Sequence, residues 1–163
     1  DCGCGTGNAA ELRAGCGGNV SASDPSETML DAARKRIGER GADSVDFRQG
    51  SIETLPLDDR SVDAACCFLV MHHVDSPAKA LREIARTLTD ENGGGIALVI
   101  DMSRHDRSEY RREMGHKHLG FTHEEIAAMF DEAGYGVPLI RDLPGEPDAK
   151  GPGLFAAAAR LKR

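Results

Sequence analysis

The stretch DCGCGTGN, Asp1 to Asn8, sets Gly3, Gly5 and Gly7 at alternate positions behind an aspartate. Alternate glycines let a backbone bend tightly or be approached closely, because no Cβ obstructs either. The pattern is near the dinucleotide fingerprint G-x-G-x-x-G, but the third glycine comes one position early and Asn8 stands in its place. Asp24 follows about 20 residues after the loop, where an acid at a strand end can accept both hydroxyls of a ribose. Loop and acid together point to a ribose-containing ligand rather than to a pyrophosphate. Further along, His72, His73, Asp101 and His105 stand near the ends of apolar runs. Imidazole titrates near neutral pH, so the His72-His73 pair reads either as a general base or as a structural cap on the following loop.

Other chemistries find less support. The five cysteines, Cys2, Cys4, Cys16, Cys66 and Cys67, are odd in number and imply no disulfide framework. Cys2-Gly3-Cys4 lacks a second pair at zinc-like spacing, and the neighbours of His105, His116 and His118 fix no geometry, so no metal site is expected. A net charge of −7 makes the chain a poor partner for phosphate backbones, and no nucleic acid is expected. No signal peptide or long apolar span is visible, which points away from a membrane and toward a cytoplasmic setting.

The elements that must position these residues are legible from periodicity. Asn19 to Ser23 reads as a weak strand. Pro25 suits a first helical position, and Met29, Leu30, Ala33 and Ile37 follow as a buried stripe until Gly38 and Gly41. Val45 to Arg48 is a short strand. Val62 to Met71 is an apolar run fit for a strand buried on both faces. Ser76-Pro77 opens a helix with Leu81, Ile84, Ala85 and Leu88 on its apolar face. Gly93 to Gly95 turn the chain into an Ile96–Ile100 strand. Thr122 and Glu125 make a capping box ahead of Ile126, Met129, Phe130 and Ala133. Gly136 to Asp142 suits a strand, whereas Leu154 to Leu161, with four alanines, suits strand or helix. Alternating strands and helices argue for an α/β sandwich with a mostly parallel sheet, whose ligands bind at the carboxyl ends of the strands.

These motifs, taken in order over roughly residues 1 to 102, resemble class I S-adenosylmethionine-dependent methyltransferases. Asp1 to Gly7 resembles their first motif, and Asp24-Pro25-Ser26-Glu27-Thr28-Met29-Leu30 the second. Gln49 to Leu57 is similar to the third, Ser61 to Ala64 with Val70 to Val74 to the fourth, and Leu81 to Leu88 with the glycine turn to the fifth. Within that family the likeness is to the methyltransferase type 11, ubiquinone/menaquinone-biosynthesis type. The resemblance implies a Rossmann-like three-layer sandwich and S-adenosyl-L-methionine as the methyl donor to a small-molecule acceptor.

It also implies roles. Gly3, Gly5 and Gly7 let the backbone approach the cofactor, Asp1 orients the loop and the cofactor's amino group, and Thr6 adds a polar contact. Asp24 holds the ribose, Met29 packs near the adenine, Ser51 and Ile52 face the adenine edge, and Cys67 and Phe68 lie under the methionine part. Met29 and Phe68 read more readily as core residues than as contacts, and Cys67 reads as either. Ser51 stands where the family often has aspartate, which implies weaker cofactor affinity. For an acceptor that must lose a proton, His73 or Asp101 is the expected base. Residues 103–120 carry five cationic side chains, with Tyr110, Met114 and His118 on one helical face. They read as a lid over the acceptor or as a solvated amphipathic helix.

Two alternatives accompany methyl transfer: a non-catalytic module that binds S-adenosylmethionine, and a nicotinamide-dependent oxidoreductase. The expected organisation is one methyltransferase domain over residues 1–163. The buried strand that normally precedes the first motif is expected to be missing or incomplete, as in a fragment of a longer protein.

Overall fold

The computed structural model describes residues 1–16, 18–39, 45–145, 148 and 150–162. Its elements in order are α1 (Asn8–Gly15), β1 (Val20–Asp24), α2 (Glu27–Gly38), β2 (Val45–Gln49), β3 (Ala64–Phe68), α3 (Pro77–Thr87), β4 (Ile96–Met102), α4 (Glu109–Glu113), α5 (His123–Glu132), β5 (Leu139–Asp142) and β6 (Leu154–Arg160). A 3-10 turn, Met71–His73, follows β3, and a second, Glu91–Gly93, precedes β4.

Strands β1 and β2 pair in parallel. Strands β3, β4, β6 and β5 form a four-stranded sheet in that order, parallel between β3 and β4 and antiparallel on either side of β6. Asp1 and Cys2 lie between β1 and β3. Ser23 N–H donates to the Asp1 carbonyl at 2.9 Å, and Cys2 N–H donates to the Cys66 carbonyl at 2.8 Å. The start of the glycine motif thus carries the ladder from one sheet to the other, in parallel register with Ser23. The architecture is the expected α/β one with a mostly parallel sheet.

Helix caps follow the sequence closely. Ser76 Oγ accepts from Lys79 N–H with Pro77 just inside α3, and Thr122 and Glu125 complete a reciprocal capping box on α5. Such caps satisfy N–H groups that have no partner within the helix. The inner faces of α3 (Leu81, Ile84) and α5 (Ile126, Phe130) join Val99, Ala157 and Phe155 in one core, while Leu30 and Ile37 of α2 join Ala10 and Ala22 in another. Strand β6 alternates buried and half-buried residues, so its alanines form a strand and not a helix. Pairing on both sides, with β4 and β5, outweighs the helix preference of alanine.

Several expectations need correction. Helix α2 begins one residue after its cap Ser26, so Pro25 precedes the helix. Met29 is 43% exposed and is no part of the buried stripe, which comprises Leu30, Ala33 and Ile37. Gly41 lies outside the described residues. The apolar run from Val62 to Met71 supplies a strand only over Ala64–Phe68, because Leu69 turns to φ 56° and Val70 leads into the 3-10 turn. Residues 103–120 hold only the five-residue α4, with Met114 exposed and His118 beyond it, so the long amphipathic helix is absent there.

Candidate functional site

Three elements converge at the carboxyl ends of β1 and β3: the loop Gly3–Gly7, Asp24 and the segment after Phe68. Gly3 has φ 73°, and a Cβ on it would sit 2.6 Å from Val70 Cγ2. Only glycine lets the loop press against the chain that follows β3. Gly5, at φ 50°, differs: a Cβ there would meet nothing within 4 Å. The loop is packed from below at Gly3 and opens onto free space at Gly5.

Asp24 ties the loop to its strand. Its Oδ2 accepts from Gly5 N–H and its Oδ1 from Ser26 N–H, both at 2.9 Å. The side chain is nearly buried, yet each oxygen keeps a second lone pair. Asp1 contributes a second carboxylate, whose buried Oδ2 has no partner. Two carboxylates and no cationic side chain within residues 1–8 suit hydroxyl and ammonium donors and oppose a pyrophosphate. Around this loop Thr6 is exposed, Met29 is partly exposed beside the Ser26 cap, and Ser51 is half-buried with its Oγ accepting from Glu53 N–H at 3.2 Å. The Gly50 N–H donates to the Asp24 carbonyl, which sets Ser51 next to the acid.

Other expected contacts sit deeper. Ile52 and Cys67 belong to the core, whereas Phe68 is half-buried at the end of β3. Burial pushes the Cys2 and Cys4 thiols up to about 11 and holds Cys67 well above its ordinary value. These thiols stay protonated at neutral pH and are poor nucleophiles.

Beyond the glycine loop, the 3-10 turn places His72 and His73 under residues 103–120. Asp101, wholly buried at the end of β4, receives His72 Nδ1 at 2.7 Å on its Oδ1. The same oxygen accepts Met102 N–H at 2.7 Å, and Oδ2 is buried without a partner. Asp101 therefore orients His72 and does not reach the surface as a base, which departs from the expectation for it. His73 is exposed. Lys117 and His118 N–H groups donate to the His72 carbonyl and lay the 103–120 segment over the turn.

That segment brings His116, which the sequence pattern does not single out as a site residue. Its ring centroid is 4.3 Å from that of His72 and 5.0 Å from that of His73. Tyr110 packs edge-on against His116 at 5.2 Å and is held by Arg107 Nη1 at 3.1 Å. Burial, then the neighbouring His72 and His73, hold His116 down at about 4. Burial and His72 also lower His73, and burial and Arg107 lower His105. The group is a set of imidazoles around one buried carboxylate. The signal for His116 is its place in a histidine-rich segment, but nothing in the spacing tells which of those rings meets His72.

Comparison with known proteins shows the family and the fold. The methyltransferase domain family matches the chain over residues 1–98. The uncharacterized methyltransferase YcgJ of Bacillus subtilis is 36% identical over 78 residues, 48% of this chain and 30% of that protein. A demethylmenaquinone methyltransferase of Clavibacter sepedonicus is 37% identical over 103 residues, 63% of this chain and 40% of that protein. At the sequence level the chain spans less than half the length of these curated relatives. Among solved structures, a SAM-dependent methyltransferase of Thermotoga maritima superimposes with a TM-score of 0.76 at 26% identity, covering 99% of this chain and 80% of that one. The YcgJ structure does so with a TM-score of 0.80 at 20% identity, over 100% and 91% of the two chains, and shows the shared fold.

Proposed function

Because the chain belongs to the methyltransferase domain family, we propose that it transfers a methyl group from S-adenosylmethionine to a small-molecule acceptor. Family membership sets the nicotinamide oxidoreductase alternative aside. The observation that carries the reading is the glycine loop, open at Gly5 and pinned by Asp24. Its donor set fits the sulfonium nucleoside: carboxylates at Asp1 and Asp24 for amino and ribose groups, and backbone that a ligand can approach.

In this reading Asp24 accepts the ribose hydroxyls with its remaining lone pairs, and Gly3, Gly5, Thr6 and Gly7 line the methionine side. Asp1 Oδ2 takes the amino group, which gives that buried oxygen its partner. Met29 covers one adenine face, and Ser51 meets the adenine edge with Ile52 behind it. Phe68 supports the methionine part. Cys67 backs it from the core without a surface of its own.

The cofactor supplies a methyl already activated for in-line displacement, so positioning contributes much of the rate. The chain's own task is to hold the acceptor at the ends of β3 and β4, beneath residues 103–120. His73, at the surface of the turn with its value lowered by the partial desolvation of its ring and by His72, takes the acceptor's proton when there is one to lose. Asp101 acts through His72 by fixing its ring. The whole of residues 1–163 acts as one methyltransferase unit.

Calorimetric titration with S-adenosylhomocysteine tests the reading, followed by a turnover screen against a metabolite panel. Binding with turnover of at least one acceptor is expected. Absence of binding overturns the proposal, and binding without any turnover moves the chain to a cofactor-binding module.

A further inference from the structure

We propose that His72, His73 and His116 form a binding site for one divalent transition-metal ion, between the 3-10 turn and residues 103–120. One ligand nitrogen from each of the three rings lies within 4.8 Å of the others. A tetrahedral zinc site with metal–nitrogen bonds near 2.0–2.1 Å spaces its nitrogens by roughly 3.3 Å, so the rings close by at most about 1.5 Å around an ion. His72 and His73 ride on the 3-10 turn and His116 on a loop, and His73 is exposed, so the movement required is one of ring rotation at His73 and His116.

Two further features point the same way. Asp101 accepts the Nδ1–H of His72, which leaves the lone pair on Nε2. A carboxylate behind a histidine in this manner is the usual outer partner of a metal-ligating imidazole. His116 Nδ1 is buried and without a hydrogen-bond partner, and a buried nitrogen with an unused lone pair costs stability unless something coordinates it.

The donor set selects the ion. Three imidazoles suit zinc and its divalent neighbours rather than calcium or magnesium, which take oxygen ligands. Three protein ligands leave a fourth position free for water or an oxygen, nitrogen or sulfur atom of an acceptor, and with the ion bound the lone pair of His73 is on the metal, so its role as base belongs to the metal-free protein. The sequence points away from a metal because it offers only the unpartnered Cys2-Gly3-Cys4 and the trio His105, His116 and His118. The fold assembles a different trio, from segments 43 residues apart between His73 and His116.

The site does not depend on the methyl-transfer reading, and its test is run without cofactor. Chelator-stripped protein is titrated calorimetrically with zinc, and in parallel with cobalt(II), whose visible absorption reports tetrahedral coordination. One ion per chain is expected, with a dissociation constant near or below about micromolar. His73→Ala and His116→Ala should each weaken binding at least tenfold, and Asp101→Asn by about 10- to 100-fold. His123→Ala, on the outer end of α5 and paired with Asp142, should change nothing. His72 is buried and its truncation can unfold the chain, so the test rests on the two other histidines, with circular dichroism reporting that each variant is folded. No stoichiometric zinc binding, or binding indifferent to His73→Ala and His116→Ala, overturns the proposal.

Discussion

Replacing Asp24 by asparagine changes one atom's chemistry at the centre of the site. Both carboxylate oxygens accept backbone N–H groups, from Gly5 and from Ser26. An asparagine offers one carbonyl oxygen and one NH2, so one of those N–H groups faces a donor. A hydrogen bond to a charged group contributes about 1.5–3 kcal/mol, and Asp24 is only 8% exposed, so little of that is recovered from water. A chain of this length loses about 2–4 °C in Tm per kcal/mol, which gives a fall of about 3–12 °C. One of the two ribose acceptors and the charge are lost as well, and the same energy range corresponds to about 10- to 150-fold weaker binding of S-adenosylhomocysteine. Thermal melts followed by circular dichroism and calorimetric titration read the two effects separately. Asp31→Asn, on the exposed face of α2 in an ion pair with Arg34, is the control and should leave both unchanged. An Asp24→Asn protein with wild-type Tm would refute the tie between loop and strand. Lowered Tm with unaltered affinity would refute the ribose role alone.

The two loop glycines should part company in the same assays. Gly3→Ala drives a Cβ to 2.6 Å from Val70 and should lower stability by more than about 2 kcal/mol, whereas Gly5→Ala meets no atom and should lose only about 1 kcal/mol through its positive φ. Gly5→Ala should nevertheless weaken S-adenosylhomocysteine binding at least as strongly as it weakens the fold, and equal stability losses in the two variants would contradict the packing described. Glu83 gives a pH test away from the site. Its carboxylate accepts from Leu55 N–H at 2.8 Å and from Arg86 at 2.8 and 3.0 Å, and the Arg86 hydrogen bond is the main cause of a value held below the ordinary 4.5. A depressed acid stabilises the fold above its unfolded value and loses that contribution as pH falls through the folded one. Glu83→Gln should therefore cost about 1–3 kcal/mol at neutral pH, with the gap to wild type narrowing below pH 4.5 in melts across the acid range. A gap independent of pH would remove the charge from the explanation.

Much of the fold is legible in the sequence because its signals are local. The Ser76-Pro77 start and the Thr122–Glu125 capping box are short-range hydrogen-bond patterns, and both occur as expected. Helix α1 carries no such signal, since Ala10 is its one buried residue and Leu12 is 75% exposed, which leaves no apolar period to detect. The apolar run after Val62 suggests a longer strand than forms. Nothing in Leu69-Val70-Met71 announces that Leu69 adopts φ 56° to carry the chain over the end of the sheet. Met29 shows the opposite case, where helical spacing suggests burial and the neighbouring loop leaves the residue open instead.

The sequence by itself determined the alternation of strands and helices, the glycine loop, and its pairing with Asp24 at the next strand end. These follow from periodicity and from spacing along one short βα unit. Tertiary structure alone decided that Asp101 meets His72 rather than solvent, and that His116 closes on His72 and His73. Those contacts join residues 29 to 44 positions apart, through the parallel β3–β4 pairing and a loop anchored on the His72 carbonyl. Such distances along the chain carry no periodicity, so the partner of each histidine exists only once the sheet has brought the strand ends together.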